Sequence, residues 1–151
     1  VATLDSEEKR QKTIDVEIEK YLEWIRTLEK KACEKKVLPN ASEWFHGEIL
    51  SAYTRSSNSA SSLAGKRTIV FSNIELQEDY RGQGFLHQLL QRIDQEAGQF
   101  AATHVMFESI INPDLVKYLE KIGFKPATQF ESAAPSMTKE LGLKLAVKIS
   151  P

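Results

Sequence analysis

Residues 68–111 carry the pattern that most narrows what this chain can fold into. Thr68–Leu76 is a β-branched and apolar run of strand length. It ends in an acidic turn at Glu78 and Asp79, and a short loop holding Gly82 and Gly84 follows. An amphipathic helix then places Leu86, Leu89, Leu90, Ile93 and Ala97 on one side. His87, Gln88, Gln91, Arg92, Gln95 and Glu96 fall on the other. Gly98 stands where a left-handed C-cap is expected, and residues 104–111 are a second apolar run suited to a buried strand. Strand, helix and strand in succession make a βαβ unit, which requires parallel pairing and a right-handed crossover.

The turn between the first strand and its helix has chemical meaning. Backbone N–H groups leave a helix N-terminus there beside a strand end, as an anion-binding turn needs. Glycine permits positive φ and close approach of a ligand to the backbone. Many strand-to-helix turns use glycine for steric reasons alone, so this turn by itself leaves phosphate binding and simple geometry equally open. No Gly-Lys-Ser/Thr follows, which excludes a P-loop, and the third glycine of the dinucleotide fingerprint is missing.

The rest of the chain supplies the layers such a unit needs. Residues 6–36 lack Gly and Pro and read as one long helix, with Ser6 as N-cap, Glu7 and Glu8 in the first turn, and Lys30, Lys31, Lys35 and Lys36 at the far end. Ile14, Ile18, Tyr21, Ile25, Leu28 and Ala32 step by four and three. That stripe serves either packing within its own domain or a coiled-coil seam with a second copy. Leu22 and Trp24 widen it toward the former. Pro39 and Asn40 break the helix, residues 44–55 read as a strand, and 56–65 as a hairpin loop rich in Ser, Asn and Ala. Residues 66–76 follow as a strand. Asn112, Pro113 and Asp114 start a second helix with an inner stripe of Leu115, Leu119 and Ile122, and Gly123 ends it. Residues 125–130 and 136–149 read as closing strands.

At 151 residues the chain suits one domain spanning 1–151. A formal net charge of −1 gives no general attraction to nucleic acid or to an anionic membrane. No apolar run is long enough to span a bilayer, and the first ten residues contain no secretory h-region. One cysteine, Cys33, cannot form an internal disulfide, so a reducing, cytoplasmic setting is expected. The three histidines and the cysteine lack metal-ligand spacing, and no metal site is expected.

Two segments together resemble the GNAT superfamily of N-acetyltransferases. Arg81, Gly82, Gln83, Gly84, Phe85 and Leu86 are similar to its Arg-x-x-Gly-x-Gly/Ala cofactor loop, with Leu86 in place of the last small residue. Residues 112–124 are similar to its following helix, Asn-x-x-Ala-x-x-Phe-Tyr-Glu-Lys-x-Gly-Phe, and Asn112, Glu120, Lys121, Gly123 and Phe124 fall on matching positions. The resemblance covers 66–141 well, 44–55 loosely and the N-terminal helix hardly at all. It implies an α/β fold (a mixed α+β sheet, GNAT-like, preceded by a long N-terminal helix), with mixed sheet over 44–149 and a cofactor core at 66–124.

The resemblance further implies acetyl-CoA, or another acyl-CoA, as donor. Its pyrophosphate would lie on the N–H groups of Gly82, Gln83, Gly84, Phe85, Leu86 and His87, with Arg81 adding a charged contact. The pantetheine arm would run between two splayed parallel strands, near residues 74–77 on one (Leu76 and Gln77 among them) and residues 107–109 on the other, with Asn112 at its far end. The acceptor is a small-molecule or peptide amine, attacking the thioester directly in a ternary complex. Deprotonation of the amine falls to Glu75 or Glu108, acting through water; a surface role or an ion pair is the alternative for each. The family's tyrosine acid is replaced by Leu119; the neighbouring Tyr118, displaced by about 100° around the helix, is the candidate acid that is left. A thiolate whose acid has a pKa near ~8.5 can leave with its proton taken from water. The alternative function is a GNAT-like module that binds CoA or a protein partner without catalysis.

Overall fold

The computed structural model describes residues 2–34, 40–58, 65–127 and 135–142. Helix α1 spans Ala2–Cys33. Strands β1 (Ala41–His46) and β2 (Leu50–Ser57) form a hairpin, and β3 (Thr68–Leu76) lies against β2. Helix α2 (Phe85–Gln95), strand β4 (His104–Phe107), helix α3 (Pro113–Lys121) and the short strands β5 (Lys125–Pro126) and β6 (Met137–Glu140) complete the described elements. The sheet order is β1-β2-β3-β4-β6-β5. Among the described residues only the β3–β4 pair is parallel, in the register Thr68↔His104 to Phe71↔Phe107. The βαβ unit expected from the sequence is therefore present, set in an otherwise antiparallel sheet. Among the described residues no helix is long and apolar enough to cross a membrane.

Sheet alternation sorts the core. Ile69, Phe71, Val105 and Phe107 point to the face that the three helices cover, while Val70 and Met106 point to the opposite face with Ala127. The α1 stripe Ile14, Ile18, Tyr21, Ile25, Leu28 and Ala32 is buried, together with Leu22, and it packs within the protomer. Tyr21 is at the centre. Its ring meets Phe45 edge-on at 4.8 Å and stacks toward Trp24 and Phe71. Its hydroxyl pairs with Thr54 Oγ1 at 2.6 Å, giving the buried phenol the partner that desolvation demands.

Several boundaries differ from the sequence reading, each for a local reason. α1 begins at Ala2, so Ser6 lies within the helix and is not its N-cap. Lys35 and Lys36 lie outside the described residues. The run 44–55 is two strands, because the chain turns at residues 47–49. Gly47 N–H donates to Leu50 O, and the Glu17 carboxylate from α1 accepts the N–H groups of Glu48, Ile49 and Leu50 at 2.9–3.2 Å. β4 stops at Phe107 instead of running to 111, since Ser109 takes a positive φ of 51°. Gly98 is not a left-handed cap; α2 ends at Gln95 and Gly98 sits in a following 3-10 turn. β2 runs on to Ser57 into the stretch read as loop, of which 59–64 lie outside the described residues. So do residues 128–134 and 143–149 of the closing strands. α3 begins and ends as expected, with the Asn112 side chain accepting from Asp114 N and Gly123 at φ +103°.

Glu17 is only 3% exposed, and its carboxylate is the acceptor for three turn amides. Gly47 is required beside it, because a Cβ there would stand 1.9 Å from Glu17 Oε2. Glu17→Ala strands those amides and is expected to lower unfolding free energy by about 2–4 kcal/mol in urea denaturation. Gly47→Ala should cost about 2 kcal/mol, and the double variant should lose less than the sum, as groups sharing one contact do.

Candidate active site

The ladder between β3 and β4 ends at Phe71↔Phe107, with one further bond from Glu108 N–H to Phe71 O at 2.9 Å. Beyond that rung the strands part. A register shift between Tyr53 and Thr54 in the β2–β3 pairing accompanies the change on one side, and the Ser109 conformation redirects the chain on the other. The gap is a cleft of about 270 Å³ lined by residues 71–74 and 107–112 and by Leu115 from α3. It opens at the C-terminal ends of the two parallel strands, where β3 runs on into the glycine turn. A ligand crevice in a βαβ unit is expected there.

The glycine turn has the geometry its sequence promised. Gly82 and Gly84 take φ of +71° and +80°, which L side chains adopt only with strain. A Cβ at either would meet nothing within 4 Å, so glycine is needed there for conformation, and the space over the turn is open. Gly84 is the N-cap of α2 and offers no side chain to its amides; the first helical bond is Gln88 N–H to Gly84 O. The N–H groups of Phe85, Leu86 and His87 thus emerge at the uncapped end of an 11-residue helix, where its dipole favours an anion. The Phe85 side chain belongs to the core, and Leu86 is half-buried against it, directed away from the open turn.

The other residues singled out from the sequence fall around these two features. Arg81 Nε donates to Leu76 O at 3.0 Å, which holds the guanidinium beside the turn. Gln77 caps the short helical turn at 78–80 by accepting from Asp79 N, and Gln83 Nε2 donates to Asp79 O. Asn112 lines the cleft while its Oδ1 caps α3. Glu75 is exposed on β3 opposite Ser51, and it lines a separate depression of about 340 Å³ with Glu48, Glu78 and Arg81. Three carboxylates against one guanidinium give that depression an acidic excess.

Two of the expected proton-transfer groups are engaged elsewhere. Glu108 accepts both ends of the Arg55 fork at 3.0 and 2.9 Å, and Ser72 Oγ donates to it at 3.1 Å. Those hydrogen bonds hold its carboxyl below the usual carboxylate range and leave it a weak base. Arg55 was the residue the sequence could not point to, because its meeting with Glu108 depends on register across three strands. The Tyr118 hydroxyl lies 3.0 Å from His87 Nδ1, bridging α3 to α2, and burial pushes it up to about 12. Such a phenol is a poor proton donor to a thiolate whose acid has a pKa near ~8.5. Leu119, in the family's tyrosine position, is fully buried. Among the described residues no group of His, Cys, Asp and Glu could hold a metal ion.

Solved structures are similar to this chain in fold. An acetyltransferase of the GNAT family from Listeria monocytogenes 4b F2365 superposes with a TM-score of 0.50 at 14% identity, over 64% of this chain and 59% of that one. This chain has the GNAT fold. The ribosomal-protein-S18-alanine N-acetyltransferase of Escherichia coli superposes with a TM-score of 0.46 at 18% identity, over 76% of each chain. An acetyltransferase from Bacillus cereus ATCC 14579 gives 0.42 at 15%, over 71% of this chain and 76% of that one. No family model matches the sequence, and no curated protein matches it. A shared fold does not fix a function, so the chemistry is argued from this chain's own residues.

The Arg55–Glu108 pair makes a pH-dependent contribution to folding whose sign follows from the lowered carboxyl. The folded state holds the charged form more firmly than the unfolded chain does. The stabilisation is therefore complete above the unfolded value near ~4.3 and is lost as pH falls through the lower folded value. Urea unfolding from pH 7 to pH 3 should show wild type more stable than Glu108→Gln at neutral pH. The difference should shrink toward the acid end, and a constant difference across the range would contradict the ion-pair assignment.

Proposed function

We propose that the protein is an acyl-CoA-dependent N-acetyltransferase that moves an acetyl group from acetyl-CoA to an amine. One observation carries this reading: the parallel strands part into a cleft at the same sheet end at which an open left-handed glycine turn feeds an uncapped helix. A ligand with a diphosphate at one end and a slender thioester arm at the other fits both. The diphosphate lies on the N–H groups of Gly82 to His87 with Arg81 beside it, and the arm follows the cleft past residues 74–77 and 107–109 to Asn112. Bound there, acetyl-CoA supplies a thioester carbonyl to which an amine nitrogen adds as the C–S bond breaks.

This chain's residues position that reaction and handle its protons. Glu75 faces the depression beside the cleft and, among the described residues, is not in an ion pair like that of Glu108, which favours it as the group that takes the ammonium proton through water. The carboxylates of Glu48 and Glu78 in the same depression favour a cationic small-molecule or peptide amine as acceptor. Holding amine and thioester together accounts for much of the expected acceleration. With Glu108 and Tyr118 committed to other partners, the thiolate takes its proton from water. A cytoplasmic setting, where acyl-CoA is available and Cys33 stays reduced, belongs to the same proposal.

The buried Leu119 and the engaged Tyr118 favour a second reading, in which the fold binds CoA without turnover. Thermal unfolding with acetyl-CoA followed by thiol release over a panel of amines separates the two. At 100 times its Kd, a ligand adds about 2.7 kcal/mol, a rise in Tm of roughly 5–10 °C for a chain of this size. No rise at millimolar acetyl-CoA would refute the cofactor assignment; a rise without thiol release would support the non-catalytic module. If turnover is seen, Glu75→Gln should lower kcat by about 100-fold at neutral pH with the Tm shift intact. Tyr118→Phe should keep kcat within about three-fold of wild type, whereas a catalytic acid would lose far more.

A further inference from the structure

The glycine turn is braced by a residue from outside the βαβ unit. Arg10 of α1 donates from Nη1 to Asp79 O at 2.7 Å and to Gln83 Oε1 at 3.0 Å. Its guanidinium also lies 4.9 Å from the centroid of the Tyr80 ring, within cation–π range. Gln83 Nε2 returns to the same Asp79 carbonyl at 2.7 Å, which closes a ring of contacts across the loop. One residue along α1, Gln11 donates to Gln88 Oε1 at 2.8 Å and ties the first turns of α2 to the same helix. The platform under Arg10 is rigid, because Ile14, Glu17 and Ile18 just beyond it are buried.

We propose that Arg10 is a positioning residue for the donor. It holds the glycine turn, through Asp79 and Gln83, in the shape that presents the N–H groups of Phe85 to His87, and it adds a positive charge to the loop that carries Arg81. The inference rests on the reading of the turn as an acyl-CoA site and extends it to the N-terminal helix, the part of the chain least like the family. The sharing of labour is physically reasonable. Gly82 and Gly84 are free to leave their left-handed conformation in an unbraced loop, and Gln83 between them is the residue Arg10 holds. A planar guanidinium can bond two acceptors through one nitrogen while its face lies toward an aromatic ring, a flat geometry that a lysine ammonium does not reproduce.

Arg10 is exposed, so Arg10→Met leaves the core intact and keeps the length of the side chain. The expected result is a five- to ten-fold weaker Kd for CoA and a matching rise in KM for acetyl-CoA, about what loss of a charge-assisted contact at an open site brings, with kcat unchanged. Arg10→Lys should fall between the two. S-Acetylpantetheine, which has no diphosphate, should serve Arg10→Met and wild type equally. Amide hydrogen exchange without ligand should be faster over residues 80–88 in Arg10→Met and unchanged over 14–28. Wild-type affinity for CoA in Arg10→Met, or an equal loss with S-acetylpantetheine, would overturn the proposal. If wild type itself binds no CoA, the acyl-CoA reading fails, and the exchange measurement alone decides the brace: unchanged exchange over 80–88 overturns it.

Discussion

Tyr21, Phe71, Phe107 and Phe124 form a row of rings that passes from α1, across β3 and β4, to the end of α3. Neighbouring centroids lie 6.0, 4.7 and 5.6 Å apart. Each contact is worth about 0.5–1.5 kcal/mol beyond the area it buries, because edge-on and offset rings suit the aromatic quadrupole. The middle pair has a further consequence. Phe71 and Phe107 form the last rung of the parallel ladder, and above them the strands are free to part. The cleft thus has a floor of stacked rings. Its depth is set by packing that cannot change without disturbing three helices.

The second constraint is the long helix that lies across this row. α1 fastens two connections with two buried carboxylates. Glu17 holds the β1–β2 turn, and Glu29 accepts the N–H groups of Ala101 and Ala102 at 3.0 and 2.8 Å, just before β4. Burial raises the Glu29 carboxyl above its ordinary range, and the two amides and the Arg67 charge oppose that rise. A polar seam continues toward α2, where Arg92 bonds Glu19 and Glu96, and Arg26 reaches Glu96 and Gln99. Exposed pairs of this kind contribute little individually. The buried carboxylates matter more, since each replaces water for amides that have no strand partner. A segment with no counterpart in the family motifs therefore holds both the β1–β2 turn and the connection from α2 to β4.

What was legible in the sequence follows from the range of the interactions involved. The βαβ unit, the α1 stripe, and both ends of α3 were readable because periodicity, Asn-Pro capping and a terminal glycine act within a few residues. The hairpin hidden in 44–55 was not. Gly47 alone interrupts that aromatic run, and the group that stabilises the turn is Glu17, thirty residues away in sequence. Phe85, absent from the stripe expected of the helix, begins α2 and is buried in the core. The early end of β4 depends on a serine in a left-handed conformation, for which the sequence carries no signal. The site divides along the same line. Its glycines were visible locally, but the Arg55–Glu108 pair requires β2, β3 and β4 in register.

That division bears on chemistry as well. In this fold a cleft and a glycine turn are products of backbone geometry, and they persist whatever the nearby side chains do. Proton transfer depends on particular groups left uncommitted, and here Glu108 is held by Arg55 and Ser72 while Tyr118 faces His87. Neither engagement harms the site as a binding surface. The Arg55–Glu108 pair stiffens the strand ends that flank the cleft, and the His87–Tyr118 contact fixes α2 against α3 beside the turn. Side chains that would serve as acid and base in a more elaborate site here serve rigidity. Acyl transfer from a thioester tolerates this better than most reactions, because a thiolate leaves readily and the remaining demand is for alignment and one deprotonation. On the proposed reading, position does most of the catalysis, and the remaining proton transfer is assigned to Glu75, exposed beside the cleft.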